Sequence, residues 1–164
     1  AVLAFGGIFS LSGAIGGIIG QNFGAQQMDR VKQIYKDALV FCVIYTSLSW
    51  GILALFREPV VTLFGLDGLS REVLLAFMLF GAGGYMFAGA LFVSNTAFNN
   101  LGKPIYSTFC NWFRDGILIF PCCVMMGWWL AGPGVVYGQA LSAVLAGTAA
   151  MIWAWRFVDR LAKR

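Results

Sequence analysis

Five apolar stretches, residues 1–19, 38–56, 73–98, 113–130 and 134–155, fill most of this chain, and each is about as long as a bilayer is thick. A helix rises ~1.5 Å per residue, so roughly 20 apolar residues cross the ~30 Å hydrocarbon core. The connectors between the stretches are short. Together they predict an all-α fold, a polytopic transmembrane helix bundle with five spans. Composition agrees, with 60% hydrophobic and 11% charged residues, where soluble domains run nearer about 25% charged.

Five crossings bring the first, third and fifth stretches out on one face. That face holds Arg30, Lys32, Lys36, Lys103, Arg156, Arg160, Lys163 and Arg164, against Arg57 and Arg71 on the other. Arg114, at the edge of the fourth stretch, belongs to neither set. The positive-inside rule then predicts a multi-pass protein of the inner (plasma) membrane with a cytoplasmic C-terminus and an external N-terminal end. Trp153 and Trp155 at one end and Trp128 and Trp129 at the other fit the aromatic belts of the two interfaces. Because orientation accounts for the net charge of +4, no nucleic-acid partner is expected. The chain opens inside a span, without Met, a basic n-region or a cleavage site, and the expectation is a partial bundle whose earlier helices are missing. Cys42, Cys110, Cys122 and Cys123 lie in or beside apolar stretches with no His anywhere, so no metal site and no cofactor are expected.

Small residues form two stripes. Gly6, Ser10, Gly13, Gly17, Gly20 and Gly24 recur at steps of four and three, and Gly134, Gly138, Ser142, Ala146 and Ala150 at steps of four. Each stripe predicts a helix docking face, since small side chains let backbones approach where lipid supplies no hydrophobic drive. Met28, Val31 and Tyr35 against Asp29, Arg30, Lys32 and Lys36 predict a short amphipathic helix lying along the inner interface. Pro59 is expected as the first residue of a short helix and Ser70 as the cap of the next. The turns 20–25 and 99–104 share the order Asn, aromatic or Leu, Gly, an echo of the kind that repeat-built transporters carry.

With these residues in view, the chain resembles the C-terminal half of the multidrug and toxic compound extrusion family, the MATE efflux transporters. The turn Gly20, Gln21, Asn22, Phe23 and Gly24, followed by Asp29 and Arg30, looks like that family's signature at a cytoplasmic helix end. The segment 95–104 with Asn111 and Trp112 looks like the connection between its tenth and eleventh helices. The resemblance implies five spans of the second six-helix bundle of a 12-helix antiporter, with the N-terminal bundle absent from this chain. It further implies export of cationic or aromatic drugs or metabolites in exchange for Na⁺ or H⁺ by alternating access. One departure stands out: the span 73–98 contains no carboxylate, whereas the best known branch of the family carries a cation-binding Asp in the corresponding helix.

The substrate or ion pathway candidates are Tyr85, Asn95, Asn99, Asn111, Asp115 and Gln139, polar groups at or near membrane depth. Arg114 and Asp115 are the costly ones, because charge within a span is rare and needs a reason. The 15 residues from Gly116 to Leu130 cover ~22 Å, which predicts a position near the inner headgroups. As sequence neighbours, the two are expected to diverge and to find separate partners. The expected partners of the whole protein are a small-molecule substrate and the bilayer. Two other readings stay open, a flippase for lipid-linked oligosaccharides from the same superfamily and a membrane-embedded enzyme. Against the enzyme stand the absent His and the lack of a nucleophile paired with a base.

Overall fold

The computed structural model describes residues 2–163, with the backbone alone for residues 2–5. Seven α-helices follow in order: α1 (Val2–Gly24), α2 (Met28–Leu55), α3 (Arg57–Phe64), α4 (Gly68–Ala76), α5 (Ala82–Asn100), α6 (Pro104–Trp112) and α7 (Ile119–Ala162). Two π-helical segments, Phe77–Gly81 and Phe113–Leu118, join α4 to α5 and α6 to α7. No strand occurs among the described residues. Only a helix satisfies every backbone group within a single segment where no water reaches, which is why apolar stretches of this length take that form.

Among the described residues, three helical segments are long and apolar enough to cross a membrane: Met28–Leu55, Gly68–Asn100 and Pro104–Ala162. The last, at 59 residues, would measure ~88 Å if straight. It reverses at Ala131, whose backbone lies at φ 52°, ψ −134°, two residues before Pro133. The two arms of this hairpin touch along the second small-residue stripe. A β-carbon on Gly138 would stand 2.6 Å from the Cys122 carbonyl oxygen and from the Cys123 α-carbon, and one on Gly134 would collide with the Met126 carbonyl. Farther along, Gly147 fits against the Phe87 carbonyl, while Gly84 of α5 faces Ala140. Ser142, Ala146 and Ala150 are buried in the same seam.

The first stripe behaves differently. Gly6, Gly13, Gly17 and Gly24 have nothing within 4 Å of where a β-carbon would sit, and Ser10 is exposed. Ile8, Ile15 and Ile19 of α1 are buried instead, with Gly16 against Thr96 and Asn100 and Gly20 near Asn100. The packing face of α1 is therefore rotated off the stripe, because large aliphatic residues fill the volume between α1, α2 and α5. Gly20 alone of the stripe meets a side chain in this set.

Other expectations change for similar reasons. The amphipathic segment after α1 is the first part of α2, continuous with the span, and its apolar side is core. Tyr35 is fully buried, with its hydroxyl 2.8 Å from that of Ser94, whose proton goes to the Ala90 carbonyl. Pro59 is the third residue of α3, and α4 starts at Gly68 with Asp67 preceding it, ahead of Ser70. Pro104 does open α6.

The two turns at the basic end share a hydrogen-bond pattern, but in a different register from the sequence echo. Ala25 and Gln27 donate to Gln21 and Asn22, as Leu101 and Lys103 donate to Ala97 and Phe98. The left-handed residue is Gln26 (φ 61°) in the first turn and Gly102 (φ 75°) in the second. Both patterns return orphan carbonyls of a helix end to a partner. The Asn residues serve as side-chain staples: Asn22 donates to the Ile18 carbonyl and Asn100 to that of Thr96, each at 2.8 Å. Gly24, matched in sequence to Gly102, is still helical.

Candidate functional site

The two π-helical segments face one cavity of about 300 Å³. A π turn inserts one residue into a helix, shifts the faces on either side and frees carbonyl groups, and such turns recur at functional sites. Phe77 and Gly81 come from the first segment and Arg114 from the second, and Tyr85, Gln139 and Ser142 complete the polar lining. Trp50 of α2 secures the first segment by donating to the Leu79 carbonyl at 2.8 Å. The Phe77 ring sets its edge toward Tyr85, with centroids 6.0 Å apart.

Arg114 and Asp115 bind each other. The guanidinium Nε donates to Oδ1 at 2.7 Å and an Nη to Oδ2 at 3.1 Å, a two-point fork. Arg114 is the more enclosed partner, with its side chain 22% exposed against 51% for Asp115. The expected divergence fails because the long Arg side chain curls back along the widened π turn. Their depth also differs from expectation. Arg114 lies ten residues into the helical run that starts at Pro104, or ~15 Å, and shares the cavity with Tyr85, which is 15 residues from the end of α5, or ~22 Å. The pair thus belongs to the middle of the bundle rather than to the basic end. At that depth a charge is tolerated only when paired or solvated, and the fork supplies the pairing.

Of the six predicted pathway residues, Tyr85 and Gln139 line this cavity, and Asp115 reaches it through Arg114. Asn95 and Asn111 form a separate bridge nearer the basic end, where the Asn95 amide donates to the Asn111 oxygen at 2.9 Å. Asn95 is buried and its own oxygen has no hydrogen-bond partner among the described residues. Asn99, one turn on, is exposed and joins neither group. Ser142, predicted as a packing residue, both packs and lines the cavity. Neither π turn was anticipated. The available signals were the run Gly81, Gly83 and Gly84 around Ala82, and an Arg-Asp-Gly triplet inside an apolar helix.

The MatE family model matches residues 1–125. A relative described as an FAD transporter, from Shewanella oneidensis, is 27% identical over 93% of this chain and 34% of its own length. An uncharacterised 21 kDa protein from Pseudomonas savastanoi is 37% identical over 48% of this chain and 26% of its own. Among solved structures, the Vibrio cholerae MATE transporter VcmN in the bent form superposes with a TM-score of 0.86 at 18% identity, covering 98% of this chain and 37% of that one. A multidrug resistance MATE family transporter of the MOP superfamily, in an outward-facing conformation, gives 0.80 at 14% identity over 99% and 39%. The chain thus spans about a third of the length of the FAD transporter and of both solved structures. The helical arrangement is that of part of a MATE transporter, and the family match extends over most of the residues. The chain belongs to the MatE family, whose members are membrane transporters and not enzymes.

Proposed function

We propose that this chain forms part of the second six-helix bundle of a secondary active antiporter, which exports cationic or aromatic small molecules in exchange for Na⁺ or H⁺. The carrying observation is a forked ion pair at mid-depth, on the wall of a cavity built by two π turns, in a chain of the MatE family. A pair held in this way can open to a charged substrate or ion and re-form after it leaves, which alternating access requires. Tyr85 and Phe77 offer aromatic faces to a planar ligand, while Gln139 and Ser142 offer polar contacts.

A second substrate class is favoured by one feature. The cavity wall carries the guanidinium of Arg114 rather than a carboxylate, which suits an anionic aromatic compound, and one relative is described as an FAD transporter. Everted vesicles containing the full-length transporter, loaded under an imposed Na⁺ or pH gradient, separate these readings with ethidium as the cation and FAD as the anion. Gradient-driven uptake of either probe, reduced tenfold or more by Gln139→Leu at equal folded yield, is the expected result. Unchanged uptake in Gln139→Leu would remove this cavity from the pathway, and uptake of neither probe under either gradient would overturn the antiport reading.

A further inference from the structure

At the basic end, a groove between α6 and α7 has chemistry of its own, and its lining shares no residue with the mid-depth cavity. Arg156 and Arg160 stand one helical turn apart on α7, so their side chains lie on one face. Both line a cavity of about 360 Å³ whose walls are Tyr106, Trp153 and Phe157. These rings form a rigid cluster: Tyr106 and Trp153 have centroids 4.7 Å apart, and Tyr106 and Phe157 are edge to face at 5.8 Å.

Two observations say what such a groove is made to hold. First, its positive charge is uncompensated. Asp159, the acid between the two arginines in sequence, is engaged by Lys32 and Lys163, and neither Arg156 nor Arg160 makes an ion pair among the described residues. Tyr106 lies in the first turn of α6, so the positive end of that helix adds to the field. Second, the groove continues into apolar surroundings. A cavity of about 210 Å³, lined by Phe109, Phe113, Ala146 and Ala150, shares Ala149 and Trp153 with the charged one. From Arg160 to Ala146 is fourteen residues, or ~21 Å along α7, the reach of a headgroup followed by most of an acyl chain.

We propose that Arg156 and Arg160 with the groove between α6 and α7 form a binding site for one anionic phospholipid, its phosphate at the arginines and one chain along Ile152, Ala149 and Trp153. Basic pockets between membrane helices bind such headgroups on the leaflet they face. Both arginines are free to give a forked contact to phosphate oxygens, and the aromatic wall confines the glycerol region without offering it charge. The site is independent of which molecule the transporter carries.

The test uses the delipidated full-length transporter in native mass spectrometry, titrated with phosphatidylglycerol or with phosphatidylcholine of the same chains. The expected result is one phosphatidylglycerol bound at a concentration at least tenfold below that needed for phosphatidylcholine. Arg156→Gln with Arg160→Gln should remove that preference. Arg30→Gln with Lys36→Gln, the same charge loss elsewhere at this end, should leave it within twofold. Ile152→Trp keeps both charges and fills the apolar half, and it should also release the lipid; it remains informative if the double arginine variant does not fold. Equal affinity for the two lipids, equal loss in both charge variants, or occupation of the groove by another segment of the polypeptide would overturn the site. Binding of glycerol phosphate as tight as that of the lipid would overturn the phospholipid assignment in favour of a soluble phosphate.

Discussion

Gly138 and Cys122 meet backbone to backbone, so closely that a β-carbon on Gly138 would stand 2.6 Å from the Cys122 carbonyl oxygen. The neighbours are main-chain atoms of the opposing arm, which cannot swing aside as a side-chain tip can. Gly138→Ala in the full-length protein should therefore cost about 1–3 kcal/mol, the range for an overpacked core, and lower the thermal midpoint. Gly51→Ala, where a methyl meets nothing within 4 Å, should be neutral or stabilising through helix propensity. Equal thermal shifts in purified samples of the two would mean that the hairpin does not close along this seam.

The fork between Arg114 and Asp115 gives a pattern of yields. Asp115→Asn keeps an acceptor oxygen for the guanidinium, so the folded yield should survive. Arg114→Ala strands a carboxylate at membrane depth and should reduce the folded yield several-fold. Combining Arg114→Ala with Asp115→Asn removes the stranded charge and should restore much of it. Fluorescence size-exclusion profiles of the three variants decide this, and a double variant as poor as Arg114→Ala alone would show that the Arg packs for its own sake.

The Trp50 indole anchors a π turn through the Leu79 carbonyl. Trp50→Phe keeps most of the volume and removes that hydrogen bond, a loss of about 0.5–1.5 kcal/mol. Because the turn shapes the cavity at Tyr85, transport should fall along with the thermal midpoint. A variant that loses neither would separate the indole from both the turn and the cavity.

What could be read from the sequence follows the range of the forces involved. Span positions come from length and hydropathy summed over about 20 residues, and the helical segment Gly68–Asn100 and the hairpin arms on either side of Ala131 contain the apolar stretches that those sums pick out. The stripe at Gly134, Gly138 and Ser142 was legible because its partner is the adjacent arm. The stripe at Gly6, Gly13 and Gly17 was legible as a pattern but not as a contact, since which face of α1 is covered depends on Ile8, Ile15 and Ile19 filling a space defined by α2 and α5. The π turns were hidden because one extra residue per turn leaves composition unchanged. The same shift in phase brought Arg114 to Tyr85 and Gln139, while Asn99, one turn from Asn95, was left outside.

At the basic end, Asp159 joins α7 to α2 through Lys32 and pairs with Lys163 four residues on, while the same Lys32 ammonium lies 5.2 Å from the centre of the Trp155 ring. Asp159 lies beyond the fifth span, and hydrogen bonds from Lys163 and then Lys32 hold its carboxyl at about 2, below its ordinary 3.8. A carboxyl whose value is depressed by folding stabilises the folded state above the ordinary value, and that contribution disappears as pH falls toward the depressed one. The link should therefore be fully present at pH 6, begin to weaken below about pH 5 and be gone only below about pH 2. Being partly exposed, it should also weaken in high salt. Thermal midpoints of the full-length protein and of Asp159→Asn should differ at pH 6 in low salt and converge as pH drops through this window. A gap between the two that stays constant from pH 6 to pH 2.5 would show that Asp159 contributes through packing, with its charge irrelevant to the joint between α2 and α7.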